Sequence, residues 1–412
     1  KNKKETKVFS ELFGLLYSDS KDIRDQAGKA INDILNNNIK VGEVELNSFL
    51  ENKKIDDELR GVSRYDELRL VNDFVDSEIV DAMLKVVTNN FTIAHRYYQL
   101  KARLLKQKKL SYHERGVPMG KLDKTFSYNQ SCLLLNKVLN NLNPKYEQIF
   151  KRFVKNGQID VYPKKGKRGG AFCANGLLST PTYILLNHTN KLNDVLTLAH
   201  EVGHGINNEL MREKQNALNF DLSLATAEVA STFFEDFILK ELLKQASDEE
   251  KFVILMSKLD QDVSTIFRQA ALYKFELELN KLFRTKGYLS HREIGELFKK
   301  HMAAYMGKYV EQSPGSENWW LHWSHIRYEF YVYSYVSGLL ISKHLQKQVA
   351  LDKKFITKID YFLSAGLSEK PINIFANMGI NIKDKKFWQT GINEINDLLV
   401  ETEKLAKKLK KI

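Results

Sequence analysis

Residues 194–204 read Asp-Val-Leu-Thr-Leu-Ala-His-Glu-Val-Gly-His, which sets two histidines four apart with a glutamate directly after the first. On a helix, His200 and His204 project from one face, about one turn apart. That spacing lets two imidazole nitrogens reach a single ion at about 2.0–2.1 Å. Glu201 sits about 100° further round the helix, where it is placed to reach a water rather than the ion. A carboxylate there can take the water's proton and later give it to a leaving amine. The chemistry is metal-assisted hydrolysis, and two histidines with a carboxylate suit zinc better than cobalt or manganese. Two solvent-facing histidines on an ordinary helix would show the same letters. Against that, Val195, Leu196, Leu198, Ala199, Val202 and Ile206 make the helix apolar on most sides. It should therefore be buried, and buried polar side chains need partners.

A catalytic zinc site needs a third protein ligand and an open position. The run from Asp221 to Asp236 reads as a second helix, capped near Asp221 or Ser223, and it carries Glu228 among small and apolar neighbours. A carboxylate in that company is costly unless paired or metal-bound. Glu228 follows His204 by 24 residues, room to finish one helix, turn and return antiparallel. It is the expected third ligand. Glu235, seven residues on, either holds a ligand histidine through its second nitrogen or faces solvent.

The elements that must position these groups read as mostly helical. Apolar residues recur at helical spacing over 8–36, 76–108, 128–154 and 247–285. Asn193 or Asp194 is the expected cap of the histidine helix. Just before it, 159–161, 171–174 and 182–186 read as short strands joined by glycine turns around Gly166–Gly170. Breaks fall at 112–122 and 311–320, where Pro118 and Pro314 sit with glycines. No repeat or low-complexity tract interrupts the chain.

At this point the sequence resembles the M3 zinc oligopeptidases, nearest to the oligoendopeptidase F branch. The likeness is carried by His200–His204, by residues 226–233 (Thr-Ala-Glu-Val-Ala-Ser-Thr-Phe) and by 167–172 (Lys-Arg-Gly-Gly-Ala-Phe). It extends to 181–187, to 95–102 and to 330–335, and so from about residue 10 to about 400. The resemblance implies a mainly α, two-lobed zincin-like metallopeptidase with a small β-sheet beside the active-site helix. It further implies one zinc per chain on the floor of a deep channel, and short oligopeptides as substrates. Members of that branch carry a further N-terminal region. The expected organisation is therefore an N-terminal helical part over 1–110, the remainder of a larger region, continuous with a catalytic region over 111–412.

The family also places a histidine and two tyrosines, seven apart, over the substrate carbonyl. The matching residues are His325, Tyr328 and Tyr335, with both tyrosines expected on one helix face; Tyr331 and Tyr333 are alternates. From the residues alone the segment reads equally as an aromatic core helix. Substrate backbone is expected along the glycine-rich strand, at Gly170, Ala171 and Cys173, because an extended peptide can pair with a sheet edge. Cys173 is assigned no catalytic role, and the other histidines have no metal-like spacing.

Composition narrows the alternatives. The 412 residues are 43% hydrophobic, enough for a large core, and no apolar run approaches the roughly 18–20 residues a membrane span needs. Two cysteines make no disulfide framework, which with the lack of a leader-like start fits the cytoplasm. The net charge of +12 is spread among acids and has no recognition motif beside it, so nucleic acid is not an expected partner. Oligomeric state cannot be read from the sequence. Two other function classes compete with a zinc endopeptidase. One is a catalytically impaired peptide-binding protein that keeps the fold; the other is a basic binder using the lysine-rich tail, 401–412.

Overall fold

The computed structural model describes residues 8–122 and 124–412. Helices dominate, and a single connected set of buried apolar side chains runs from Leu12 to Ala406. The periodic stretches are helical, with breaks the periodicity did not show. The first is split into Phe9–Leu15 and a 39-residue helix, Lys21–Leu59, that runs well beyond residue 36. In its second half Ile39, Leu46 and Leu50 keep the helical spacing and are buried. The stretch 76–108 breaks at Asn90, whose amide returns to the Val86 carbonyl at 2.8 Å. The stretch 128–154 breaks at Asn143, where Pro144 opens the next helix and the Asn143 side chain accepts from the Lys145 N–H.

Two small sheets complete the chain. Ile159–Asp160, Phe172–Ala174 and Tyr183–Leu185 form a three-stranded sheet with Tyr183–Leu185 in the middle. Ile159 pairs parallel with Ile184, and Cys173 pairs antiparallel with it, which leaves Phe172–Ala174 as an edge strand. The second sheet joins Leu110–Ser111 to Val310–Glu311 in parallel, so the two breaks marked by Pro118 and Pro314 flank one small sheet.

The core of the site is a helix pair, the histidine helix Leu192–Lys214 and the glutamate helix Val229–Lys244. They approach closely because Gly203 lies at the contact: a Cβ there would meet the Ser231 Cα at 2.8 Å and the Ala230 carbonyl at 2.9 Å. The tyrosine helix, Tyr333–Leu351, packs on the same glutamate helix, and a Cβ at Gly338 would meet the Glu228 Cβ at 2.9 Å. Behind the pair lies a buried quartet of charges. Lys258 reaches Asp236 at 2.7 Å, and Lys343 reaches Asp262 at 2.9 Å. Buried charges persist only when paired this way. The quartet fixes the rotation of the glutamate helix one residue beyond Glu235.

Both helix starts differ from expectation. The cap of the histidine helix is Lys191, and Asp194 lies one turn inside, where its carboxylate accepts the Thr189 and Lys191 N–H groups. The glutamate helix begins at Val229, with Glu228 itself at the cap position. Residues 224–228 are turns instead of helix, because the Ser223 hydroxyl bonds the Asp73 carbonyl at 2.6 Å and accepts the Ala225 N–H.

Candidate active site

The three expected ligands converge. His200 Nε2 lies 3.4 Å and His204 Nε2 lies 3.6 Å from the same Glu228 oxygen, Oε2. Donors arranged tetrahedrally about one zinc, each at about 2.0–2.1 Å, lie about 3.3–3.4 Å apart by geometry. The residues therefore fit a zinc ion. The second nitrogen of His200, Nδ1, faces Glu235 Oε2 at 3.2 Å. That contact leaves Nε2 for the cluster, and the Glu235 side chain is buried. Ser231 Oγ donates to Glu228 Oε2 at 3.0 Å.

Charge follows from these neighbours. Burial would raise Glu228, but the hydrogen bonds and charges of His200, His204 and Ser231 hold it down at about 2. Burial pushes His204 down to about 4, so its ring is neutral at pH 7. Burial opposes the charge on His200, yet Glu228 and Glu235 together lift it to about 10. Glu201, 7% exposed, is pushed up to about 7 by burial and the Glu228 charge, against His200 and a backbone hydrogen bond from Cys173.

These groups line a cleft of about 750 Å³. Its walls include Ala171 and, from the edge strand, Phe172 and Cys173, then Asn175 and Asn208, Arg69, Asn72, Asp73 and Phe74, and Tyr331. Gly170 lies outside it, in an adjoining cleft of about 210 Å³ that shares Ala171. Gly170 has φ +80°, a conformation glycine adopts freely, and its carbonyl accepts from Asn187 at 2.8 Å. The Cys173 thiol accepts weakly from the Asn208 amide, and burial pushes it up to about 12, which makes it a poor nucleophile.

The aromatic segment departs from its expected form. Tyr328 and Tyr335 do not share a helix. Ser324–Arg327 is a short 3₁₀ turn, and the helix starts only at Tyr333. Between them Glu329 and Phe330 have φ +46° and +57°. Left-handed backbone at non-glycine residues costs on the order of 1–3 kcal/mol each and cannot continue a right-handed helix. Tyr328 is 59% exposed, and neither it nor His325 nor Tyr335 lines the cleft; Tyr331 does. His325 Nε2 lies 3.2 Å from the Tyr335 hydroxyl, and the Tyr331 ring packs on both, at 5.5 Å from Tyr335 and 6.1 Å from His325. Tyr333 is buried, with its hydroxyl on Asp73 at 2.7 Å.

Two imidazoles and a carboxylate thus meet on the wall of a cleft, an arrangement able to hold a metal. The profile described as peptidase family M3 matches residues 14–394, and the chain belongs to that family. It is 27% identical over 402 residues to a chromosomal oligoendopeptidase F of Lactococcus lactis subsp. cremoris, covering 96% of this chain and 66% of the relative. It is 29% identical over 355 residues to the oligopeptidase PepF of Bacillus subtilis, covering 84% of this chain and 52% of the relative. The chain thus spans about half to two thirds of the length of these relatives. Among solved structures, a putative peptidase from Chlamydophila abortus superposes with a TM-score of 0.88 at 22% identity, over 96% of this chain and 67% of that one. Oligoendopeptidase-F from Enterococcus faecium superposes with a TM-score of 0.76 at 20% identity, over 97% and 66%. Both establish the fold.

Proposed function

We propose that the chain is a zinc metalloendopeptidase that hydrolyses short oligopeptides in this cleft. The observation that carries the reading is the meeting of His200, His204 and Glu228 on the cleft wall, at the spacing of zinc donors, with Glu201 beside them. His200, His204 and Glu228 would hold one ion per chain. Bound zinc supplies Lewis-acid polarisation of a carbonyl and lowers the pKa of water. Glu201 takes the proton from the attacking water and gives it to the leaving amine. Glu235 holds His200 in the tautomer that offers Nε2.

Tyr331, on the cleft wall, and Tyr335, packed against it and backed by His325, donate to the oxygen on which charge develops. Burial, with Tyr331 and the Glu228 charge, pushes Tyr335 upward, so its hydroxyl keeps the proton it must offer. Tyr328, outside the cleft with its ring centroid 6.3 Å from that of Tyr331, is given no donor role in this reading. The edge strand Phe172–Ala174 lies beside Glu201 and pairs with an extended peptide, using Ala171 and Cys173 and, further along, Gly170. Residues up to 110 and those from 111 onward act as one body, since one buried core joins them. Free Cys132 and Cys173 support a cytoplasmic location, and no helix among the described residues is long and apolar enough to cross a membrane.

The test is cleavage of a mixed pool of short peptides, read by mass spectrometry, with and without a zinc chelator. Internal cuts that vanish with chelator and return with zinc are expected. A chain that holds zinc and cuts nothing would replace this reading with that of a peptide-binding protein that keeps the fold.

A further inference from the structure

We infer that Arg69 and Glu276 are positioning residues that hold Tyr331 in the cleft by pinning the left-handed turn in front of it. The inference rests on the peptidase reading of the cleft and deepens it. Glu329 and Phe330 adopt positive φ consecutively, and neither is glycine. Such a pair persists only where the surroundings over-determine it, and it concentrates at functional sites.

Here the surroundings act atom by atom. Arg69 donates from Nε to the Glu329 carbonyl at 2.9 Å and from Nη2 to the Tyr328 carbonyl at 2.7 Å. Glu276 accepts the Phe330 N–H at 2.8 Å. The Phe330 ring is fully buried, 5.1 Å from the Tyr273 ring. Beyond Tyr331, Asp73 accepts the Tyr333 hydroxyl. The chain is therefore held on both sides of Tyr331, and Arg69 and Asp73 are themselves cleft residues.

Glu276 is an odd choice for a purely structural post. It is 2% exposed, its Oε2 serves one amide, and its Oε1 makes no hydrogen bond among the described residues. Burial with a single backbone donor is costly for a carboxyl and gives little to stability. It is repaid if the amide it holds sets a reactive side chain. Burial also pushes Glu276 up to about 8, so the group is mostly uncharged at pH 7 and glutamine is a close replacement.

The experiment compares Arg69→Met, Glu276→Leu, Glu276→Gln, Tyr331→Phe and the double Arg69→Met/Tyr331→Phe in peptide cleavage, zinc content and crystal structure. Arg69→Met and Glu276→Leu are expected to lower kcat about 10- to 100-fold with zinc content unchanged and KM changed little. Glu276→Gln recovers most of the loss. The double variant is no worse than Tyr331→Phe alone, since a positioning residue acts only through the group it positions. Multiplying losses in the double variant would overturn the inference, as would Glu276→Gln failing as badly as Glu276→Leu. If Arg69→Met does not fold, Arg69→Lys, which keeps the charge and loses the two-pronged contact, is expected to show the same kcat loss. If the unaltered chain cuts no peptide, the peptidase reading falls on its own. The crystal structures then decide the positioning, with Tyr331 displaced in Arg69→Met for it and Tyr331 unmoved against it.

Discussion

Among the described residues, two regions gather three side chains of metal-ligating type with their donor atoms within 4.8 Å of one another: His200, His204 and Glu228, and Asp25, His113 and Glu114. Donor chemistry alone does not separate them. Their neighbours do. In the first, the groups against the Glu228 oxygen among the described residues are two imidazoles and a hydroxyl, and the cluster opens on a cleft of about 750 Å³. In the second, the place of a cation is already taken. Arg24 donates to Glu114 Oε1 from Nε at 3.2 Å and Nη2 at 2.8 Å, and Lys21 reaches Asp25 at 2.9 Å. His113 Nε2 meets Asp25 at 2.9 Å, so its proton is also engaged. The same residue types make a metal cradle in one region and an ion-pair network in the other. The difference is whether an arginine and a lysine are built in.

The largest expected effect is at the first cluster. Glu201→Gln should keep zinc and lose about 10²–10⁴-fold in kcat, measured by steady-state cleavage beside metal analysis. Retained turnover would sink the assigned proton route. At the second cluster the counterpart is stability. Arg24→Met leaves a Glu114 carboxylate that is 0% exposed without its main partner, and should cost about 3–5 kcal/mol in denaturant unfolding with zinc content unchanged. Smaller, and back at the first cluster, Glu235→Gln should weaken zinc about 10- to 100-fold by equilibrium competition, since the imidazole loses its carboxylate partner. An unchanged affinity would mean that the 3.2 Å contact does not tune His200.

Acid sharpens the contrast further. Burial would raise Glu114, but hydrogen bonds from Arg24, Gln107 and the Ser111 amide outweigh it and leave the carboxyl lowered. A lowered carboxyl contributes stability that is complete above its unfolded value, near 4.5, and is lost as pH falls through the folded value. The chain should therefore lose stability below about pH 4.5, and Glu114→Gln should flatten that limb of the profile. The smallest effect is at Lys21, whose pair with Asp25 is nearly half exposed on both sides. Lys21→Met should shift unfolding by no more than about 1 kcal/mol, and less in high salt.

The comparison also explains what the sequence made legible. The histidine pair is local, four residues on one helix, and periodicity alone places it. Glu228 stood out as a carboxylate among alanines and valine, and the cost of burying it is a signal one can read. Asp25 and His113 are 88 residues apart and belong to no spacing rule, so nothing in the sequence joined them. The turn at Glu329–Phe330 was invisible for a different reason. Left-handed backbone is usually announced by glycine or asparagine, and here it is imposed from outside by Arg69 and Glu276, on elements far away in sequence. That is why Tyr328 and Tyr335 looked like one helix face, and why Tyr331 lines the cleft. The cap of the glutamate helix was misplaced because Ser223, a good cap by type, spends its hydroxyl on Asp73. Two lysines of the tail are paired as well: Lys408 pairs with Asp248, and Lys411 reaches Glu249 at 2.9 Å, in the acidic first turn of another helix.

The most direct measurement is anomalous X-ray diffraction at the zinc edge from crystals grown with zinc. The account predicts one strong peak per chain, bounded by His200, His204 and Glu228, and none at Asp25, His113 and Glu114. A peak at the second cluster, or none at the first in a crystal whose solution holds excess zinc, would contradict it.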